Sequence, residues 1–111
     1  MDRIDSYREI IKRILHEVAE YIPSEEGIRH ELILDDTDGH YQLLKVGWKN
    51  RRRIHGTLIH IDLHDGKVWV EHDGTDLEIV QELLDAGIPE KEIVLGFHPP
   101  DQRKYTPFAI A

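Results

Sequence analysis

Apolar residues recur at steps of three and four near the start of the chain, and at steps of two further along. The first spacing predicts an amphipathic helix over residues 2–22. Pro23 disfavours a helical conformation at the residue before it and therefore marks the end of this helix. The apolar stripe consists of Ile4, Tyr7, Ile11, Ile14, Val18 and Ile22, widened by Ile10 and Leu15.

Four β-strands are predicted after this helix, because short apolar segments alternate there with turn-forming residues. The predicted strands span residues 28–35, 40–48, 53–64 and 67–72. Asp65-Gly66 is the strongest hairpin signal, since a type I′ turn requires positive φ at both central positions. Strands joined by such short turns predict an antiparallel meander.

The turn at Asp65-Gly66 also predicts a register, in which His64 lies opposite Lys67, His60 opposite Glu71 and Ile59 opposite His72. One face of the hairpin is then aliphatic and should pack under the helix, with His72 partly buried at its end. We expect the other face to be open to solvent or to a partner. The aliphatic face carries Ile59, Ile61, Leu63, Val68 and Val70. The open face carries His60, Asp62, His64, Lys67, Trp69 and Glu71.

A second helix is predicted to begin at Thr75, because Thr75 and Glu78 match a capping box. Gly87 is placed to end this helix in the left-handed conformation. Residues 93–97 form a fifth strand or an extended segment, and the sequence leaves open whether they join the sheet. Residues 105–111 are apolar, so we expect this tail to dock on the domain or on a second copy of it.

These elements predict a single α+β domain over residues 1–111. In this domain an N-terminal amphipathic helix packs on an antiparallel β-meander of four to five strands, and a second helix follows the meander. The start of the chain has no apolar run typical of a signal peptide, and no apolar segment is long enough to span a membrane. The chain contains no cysteine, which agrees with a cytoplasmic location.

The charge of the chain is uneven. The net charge is −8 in total, and residues 57–111 hold 4 basic and 11 acidic residues, or −7. Such an acidic half suits a basic protein partner. The one basic cluster, Lys49 with Arg51, Arg52 and Arg53, is a candidate DNA contact, but a solvated turn is the commoner meaning of such a cluster.

His60, Asp62, His64 and Glu71 are the candidate residues for metal chemistry, for example in a small metal-dependent hydrolase. However, positions i and i+4 of a strand lie about 13 Å apart, too far for both imidazoles to reach one ion without a strong bend. Polar side chains are in any case required on the wet face of a sheet. We therefore expect no catalytic residue, metal or cofactor. Trp69 is either an interface anchor or covered by the C-terminal tail.

Several segments, in order along nearly the whole chain, resemble the XisI family. They are SYREII (6–11), VGW (46–48), LIHID (58–62), DGKVWV (65–70), DGTD (73–76), AGIP (86–89), VLGFHPP (94–100) and YTPFAIA (105–111). XisI proteins are known as fdxN element excision controlling factors. The element is a DNA segment that a site-specific recombinase removes when certain cyanobacteria form nitrogen-fixing cells.

The resemblance implies a non-enzymatic accessory role in programmed DNA excision, through contacts with an XisH-like protein and possibly with the recombinase. It supplies no catalytic residues. An exposed Trp69, the apolar tail and unpaired strand edges also predict a homodimer or higher homo-oligomer. The candidate partner interface consists of Trp69, His60, Asp62, Glu71, Tyr105 and Phe108.

Overall fold

The structure is a computed structural model and describes residues 2–111. Five strands form one sheet in the order β1-β2-β3-β4-β5; the first four are antiparallel and β5 is parallel to β4. This arrangement confirms the predicted α+β fold and shows that the fifth strand joins the sheet. The elements are α1 (Arg3–Tyr21), β1 (Ile28–Asp35), β2 (His40–Lys49), β3 (Arg52–His64), β4 (Lys67–Asp73), α2 (Ile79–Asp85), a 3-10 turn (Glu90–Glu92), β5 (Ile93–Leu95) and α3 (Pro100–Arg103).

Helix α1 lies within one residue of its predicted limits. Its first turn is capped by the Asp2 carboxylate, which accepts a hydrogen bond from the Asp5 N–H at 2.9 Å. It ends where Ile22 takes an extended conformation before Pro23. The apolar stripe of α1 is buried against one face of the sheet, as the pattern predicted.

The core lies between this face of the sheet, α1 and α2. Tyr41 and Leu43 of β2 lie opposite Ile61 and Ile59 of β3, and all four side chains are fully buried. Burial of one large aliphatic side chain contributes roughly 1.5–3 kcal/mol, so this layer holds the helices on the sheet. Its other members include Ile11, Ile14 and Leu15 of α1, Val68 and Val70 of β4, Ile79 and Leu83 of α2, and Ile93 of β5.

Two turns have the type I′ conformation that matches the twist of a hairpin. Asp65 and Gly66 have φ values of 52° and 76°, as the sequence predicts. Asn50 and Arg51, between β2 and β3, have φ values of 51° and 66°. The predicted register is correct for the four pairs nearest the Asp65-Gly66 turn, from His64 with Lys67 to Ile61 with Val70.

Beyond these pairs the predicted register is wrong, because Glu71 is an extra residue in a β-bulge. His60 lies opposite His72 rather than Glu71, and Ile59 lies opposite Asp73 rather than His72. An extra residue reverses the side-chain alternation of the rest of the strand. His72 is accordingly exposed and not partly buried in the core as predicted.

The predicted start of the second helix is also wrong, since α2 begins at Ile79 and not at Thr75. Glu78 has a left-handed conformation, with φ of 51°, so a helix cannot run through it. The Asp73 carboxylate orders the loop instead, accepting hydrogen bonds from the Thr75 N–H at 2.9 Å and the Ile79 N–H at 3.1 Å. Gly87, with φ of 104°, follows the end of α2 as predicted.

The C-terminal tail docks on the same chain, one of the two outcomes expected from its apolar character. The Ala109 N–H donates a hydrogen bond to the Ile93 carbonyl at 2.9 Å, and Ala109 forms a parallel bridge with Val94. This contact extends the sheet past β5. No helix within residues 2–111 is both long enough and apolar enough to cross a membrane.

Candidate functional site: a histidine–aspartate cluster on the open sheet face

Within residues 2–111, the sheet face opposite α1 has no helix packed along β1, β2 and β3. Because side chains alternate along each strand, this face carries the residues between the buried ones. They include His40 and Gln42 of β2 and His60 and Asp62 of β3. Trp69 of β4 lies opposite Asp62 on the same face. We call this surface the open face.

Three polar side chains meet on this face, where β2 begins and β3 approaches its end. His40 Nδ1 and His60 Nε2 each lie 2.8 Å from the same oxygen, Asp62 Oδ1. The candidate ligand atoms of the three side chains all lie within 4.8 Å of one another. The Asp62 side chain is only 18% exposed and that of His40 is 51% exposed, so the cluster opens to solvent on the His40 side. We call these three residues the His–Asp cluster.

A β-bulge in β3 brings His40 into this cluster. Leu43 pairs with Ile59 but the next residue, Leu44, pairs with Thr57, so Leu58 is the extra residue. The pairing at the β2–β3 turn, continued without a bulge, would place His40 opposite Ile61. The bulge shifts the partner by one residue, to Asp62.

His40 was not among the site residues predicted from the sequence, although the sequence contains a signal for it. Tyr41 and Leu43 must share a face with Ile59 and Ile61 if all four are to be buried. That requirement excludes the unbulged pairing of Tyr41 with His60 and allows Tyr41 to lie opposite Ile61. The structure has this pairing, and it places His40 opposite Asp62.

The Asp62 carboxylate favours the charged form of His40. Its hydrogen bond and its negative charge raise the pKa of His40 above the ordinary value, against a smaller opposing effect of desolvation. Asp35 and Asp38 act in the same direction through their charges. The surroundings of His40 are therefore negatively charged, and they favour a cation there.

The structure does not bring His64 or Glu71 into the cluster. Of the four candidate metal ligands named from the sequence, only His60 and Asp62 lie together, and His40 joins them. His64 Nε2 lies 3.2 Å from Asp65 Oδ2, at the end of β3. Glu71 lies in the bulge and packs over Gly96, where an added Cβ would come 2.3 Å from Glu71 Oε1. Since β3 extends by about 3.3 Å per residue, His64 is carried away from His60 as expected.

Trp69 contacts the C-terminal part of its own chain. The Arg103 guanidinium lies 5.3 Å from the centroid of the Trp69 ring, a cation–π contact. The indole N–H donates a hydrogen bond to the His64 carbonyl at 3.2 Å. Trp69 is thus partly covered within the chain, while Tyr105 is 74% exposed and Phe108 is partly buried against the core.

The basic turn between β2 and β3 lies at one end of the sheet. Lys49 forms an ion pair with Glu25. Arg53 stacks over the exposed Trp48 ring, 5.3 Å from its centroid. Arg51 and Arg52 are exposed. The positive charge of this turn is therefore partly neutralised and partly engaged with an aromatic ring.

Clefts lie elsewhere on the described part of the chain. The four best-defined clefts have volumes of about 220 to 530 Å³, and none of them is lined by a residue of the His–Asp cluster. One, of about 300 Å³, lies between α1 and α2 and is lined by Ile14, Val18 and Leu77 among others. The cluster therefore lies outside these four clefts.

The fold and the site together define a small α+β domain with one sheet face under a helix and one polar, histidine-bearing face left open. The chain belongs to the XisI family, since the family described as "XisI protein" matches residues 1–110. This match confirms the resemblance that the ordered segments indicated. None of the curated proteins with which the chain was compared matches it significantly.

Two solved structures share both sequence and fold with this chain. A XisI-like protein from Anabaena variabilis ATCC 29413, solved at 1.30 Å, is 37% identical with a TM-score of 0.95, over 98% of this chain and 100% of that one. The fdxN element excision controlling factor XisI from Anabaena variabilis ATCC 29413, solved at 2.19 Å, is also 37% identical, with a TM-score of 0.88, over 99% of this chain and 100% of that one.

Proposed function

We propose that this protein is an accessory factor that regulates the excision of a DNA element through contacts with other proteins and performs no chemistry itself. The observation that carries the proposal is its end-to-end similarity, at 37% identity, to an fdxN element excision controlling factor XisI. Its membership of the XisI family supports the same role. The His–Asp cluster lies outside the best-defined clefts, which favours a binding surface over a catalytic pocket.

The contact surface that we propose is the part of the open face around Trp69. A large aromatic side chain surrounded by hydrogen-bonding groups is typical of the anchor of a protein interface. Trp69 is held in place by Arg103 and by its own indole hydrogen bond, so little conformational entropy would be lost when a partner covers it. The proposed interface comprises Trp69, His60, Asp62, Glu71, Tyr105 and Phe108.

The charge distribution supports a protein partner over direct contact with DNA. Residues 57–111, which include β4 and the C-terminal tail, carry a net charge of −7. A surface of this charge repels phosphates and attracts a basic protein. The partner we propose is an XisH-like protein that presents a basic surface, with the recombinase as a further member of the assembly.

Co-expression with an XisH-like protein from the same host tests this role. We expect a complex that elutes as one species in size-exclusion chromatography, and a Trp69→Ala substitution should weaken it at least tenfold, or about 1.4 kcal/mol. Tyr21→Ala is the matched control, because Tyr21 is equally aromatic and 71% exposed but lies at the end of α1. Separate elution of the two wild-type proteins at micromolar concentration would contradict the proposal.

A direct DNA contact is the second candidate, favoured only by the exposed arginines of the β2–β3 turn. Charge reversal of Arg51, Arg52 and Arg53 together would then abolish DNA binding and flatten its salt dependence. We expect the wild-type protein to bind DNA weakly and the reversal to leave binding to the partner protein intact. Loss of the protein complex in this variant would place the interface at the turn and not around Trp69.

Self-association forms a further part of the proposal. Phe97 and Ile110 near the C-terminal edge are about half-exposed, and β1 is an unpaired edge of the sheet. Such apolar side chains and free strand edges favour pairing of two copies about a two-fold axis. Light scattering at micromolar concentration should give the mass of a homodimer, and a monomer mass would contradict this expectation.

A further inference from the structure

The three side chains of the His–Asp cluster are arranged as ligands around one point. His60 and Asp62 are two residues apart on β3 and so project from the same face, while His40 reaches the same place from the adjacent strand β2. Both imidazole nitrogens lie 2.8 Å from Asp62 Oδ1. Two strands of a hydrogen-bonded sheet hold the three residues, so the arrangement does not depend on a loop.

These separations suit a small divalent ion. With metal–ligand bonds of about 2.0 Å, the ligand atoms of a tetrahedral Zn²⁺ site lie about 3.3 Å from one another. The two nitrogen–oxygen separations of 2.8 Å need to open by about half an ångström to reach that value, and the two imidazole nitrogens, which lie within 4.8 Å of each other, must adopt the same separation. His40 can supply this movement by side-chain rotation, because it is the exposed member of the cluster.

The chemistry of the ligands points in the same direction. Imidazole nitrogens and a carboxylate oxygen are the ligand types that Zn²⁺ and related transition metals prefer. A bound cation would also satisfy both imidazoles at once, whereas a single Asp62 oxygen is now shared between them.

The geometry points to a binding site for a divalent transition-metal ion of the Zn²⁺ type, formed by His40, His60 and Asp62. Three protein ligands leave at least one coordination position on the exposed side of His40, where water would bind. The site shares His60 and Asp62 with the interface proposed above, but metal binding requires no partner protein and is tested on the isolated chain.

The test is a titration of the isolated, tag-free protein with Zn²⁺ alone. Binding is measured by isothermal titration calorimetry and, separately, by competition with a chromophoric chelator. We expect one ion per chain. His40→Ala, His60→Ala and Asp62→Asn should each weaken binding at least tenfold, because each removes one of only three protein ligands. His64→Ala is the matched control, since it removes a histidine from the same strand outside the cluster, and its affinity should stay within about twofold of the wild type.

Two further measurements keep the result decisive if one variant folds poorly. Substitution with Co²⁺ should give the visible absorption of a tetrahedral site in the wild-type and His64→Ala proteins only. Nuclear magnetic resonance of the histidine side chains should show Zn²⁺-induced shifts for His40 and His60 and none for His64. Binding of less than one ion per chain, or an equal loss of affinity in His64→Ala and His40→Ala, would overturn the proposal.

Discussion

The buried hydroxyl group of Tyr41 links the start of β2 to Arg8 of α1. Its removal should measure how much this link contributes to the free energy of unfolding. Tyr41 precedes Gln42 on β2 and follows His40, and its side chain is fully buried. Its hydroxyl accepts a hydrogen bond from Arg8 Nε at 3.1 Å and donates one to Asp36 Oδ1 at 2.9 Å. Tyr41→Phe removes both bonds and leaves the packing of the ring almost unchanged.

The expected loss follows from the surroundings of the hydroxyl. A hydrogen bond contributes about 0.5–1.5 kcal/mol net, and about 1.5–3 kcal/mol when one partner is charged. Both partners of Tyr41 still reach water after the substitution, because the Asp36 side chain is 52% exposed and that of Arg8 is 24% exposed. We therefore expect Tyr41→Phe to lower the free energy of unfolding by about 1–2 kcal/mol.

Urea unfolding monitored by circular dichroism measures this loss. In thermal unfolding the midpoint temperature Tm should fall by about 3–6 °C for each kcal/mol of lost stability. The matched control is Tyr21→Phe, which changes an exposed tyrosine and should stay within about 0.5 kcal/mol of the wild type. In an Asp36→Ala background the Tyr41→Phe cost should shrink, since one of the two bonds is already absent. No measurable loss, or the same loss in both backgrounds, would refute the reasoning.

Tyr41 should also make the stability of the protein depend on pH, and the sign of this dependence follows from its pKa. Burial, and then the hydrogen bond with Asp36, raise the pKa of Tyr41 above its ordinary value. The folded state therefore favours the neutral phenol. Its contribution to stability is fully present below the unfolded-state pKa of about 10 and is lost as the pH rises through the folded-state pKa. The Tyr41→Phe protein should lack this part of the alkaline loss in urea unfolding.

Three other predictions test the fold more widely. Gly47→Ala should cost about 2 kcal/mol or more in thermal unfolding, because the new Cβ would lie 2.0 Å from a carbonyl oxygen of the neighbouring loop; a stability equal to the wild type would show that the loop moves freely. Ile61→Ala should cost about 2–5 kcal/mol in urea unfolding and Ile33→Ala, at a position 42% exposed, less than about 1 kcal/mol; similar losses would mean that the core is misassigned. A hydrogen bond from Lys12 is the largest of the effects that lower the pKa of Asp36. The stabilising contribution of Asp36 is therefore present above its unfolded-state pKa and is lost as the pH falls through its folded-state pKa. Asp36→Asn should flatten this loss of stability at acid pH in urea unfolding, and an unchanged loss would exclude the contact as a cause.

The parts of the fold that sequence analysis predicted well are those that depend on near neighbours in the chain. The stripe of α1, the strands β1 to β4 and the turn at Asp65-Gly66 all follow from side-chain spacing and backbone preference within a few residues. The predicted start of α2 was wrong for a related reason. Thr75 and Glu78 have the right spacing for a capping box, but the Asp73 carboxylate binds the same loop and favours another conformation.

The candidate site shows where prediction from local pattern ends. The turn at Asp65-Gly66 correctly places Asp62 opposite Trp69 on the open face, so that part of the surface is predictable. Yet the bulge at Glu71 reverses the faces of the next residues, and the bulge at Leu58 brings His40 to Asp62. A bulge inserts one residue without a distinct local sequence signature, and its presence is decided by packing across the sheet.

The amino-acid sequence by itself determined the helix, the strands, the hairpin turn near Asp65, the uneven charge and the family of this protein. Only the tertiary structure decided which histidines lie together. Residues as far apart as His40 and His60 meet because the buried side chains of β2 and β3 must share one face, and that requirement is met by an extra residue in the ladder. The predicted helix and meander are therefore correct, while the chemistry of the open face depends on two single-residue shifts in the pairing of its strands.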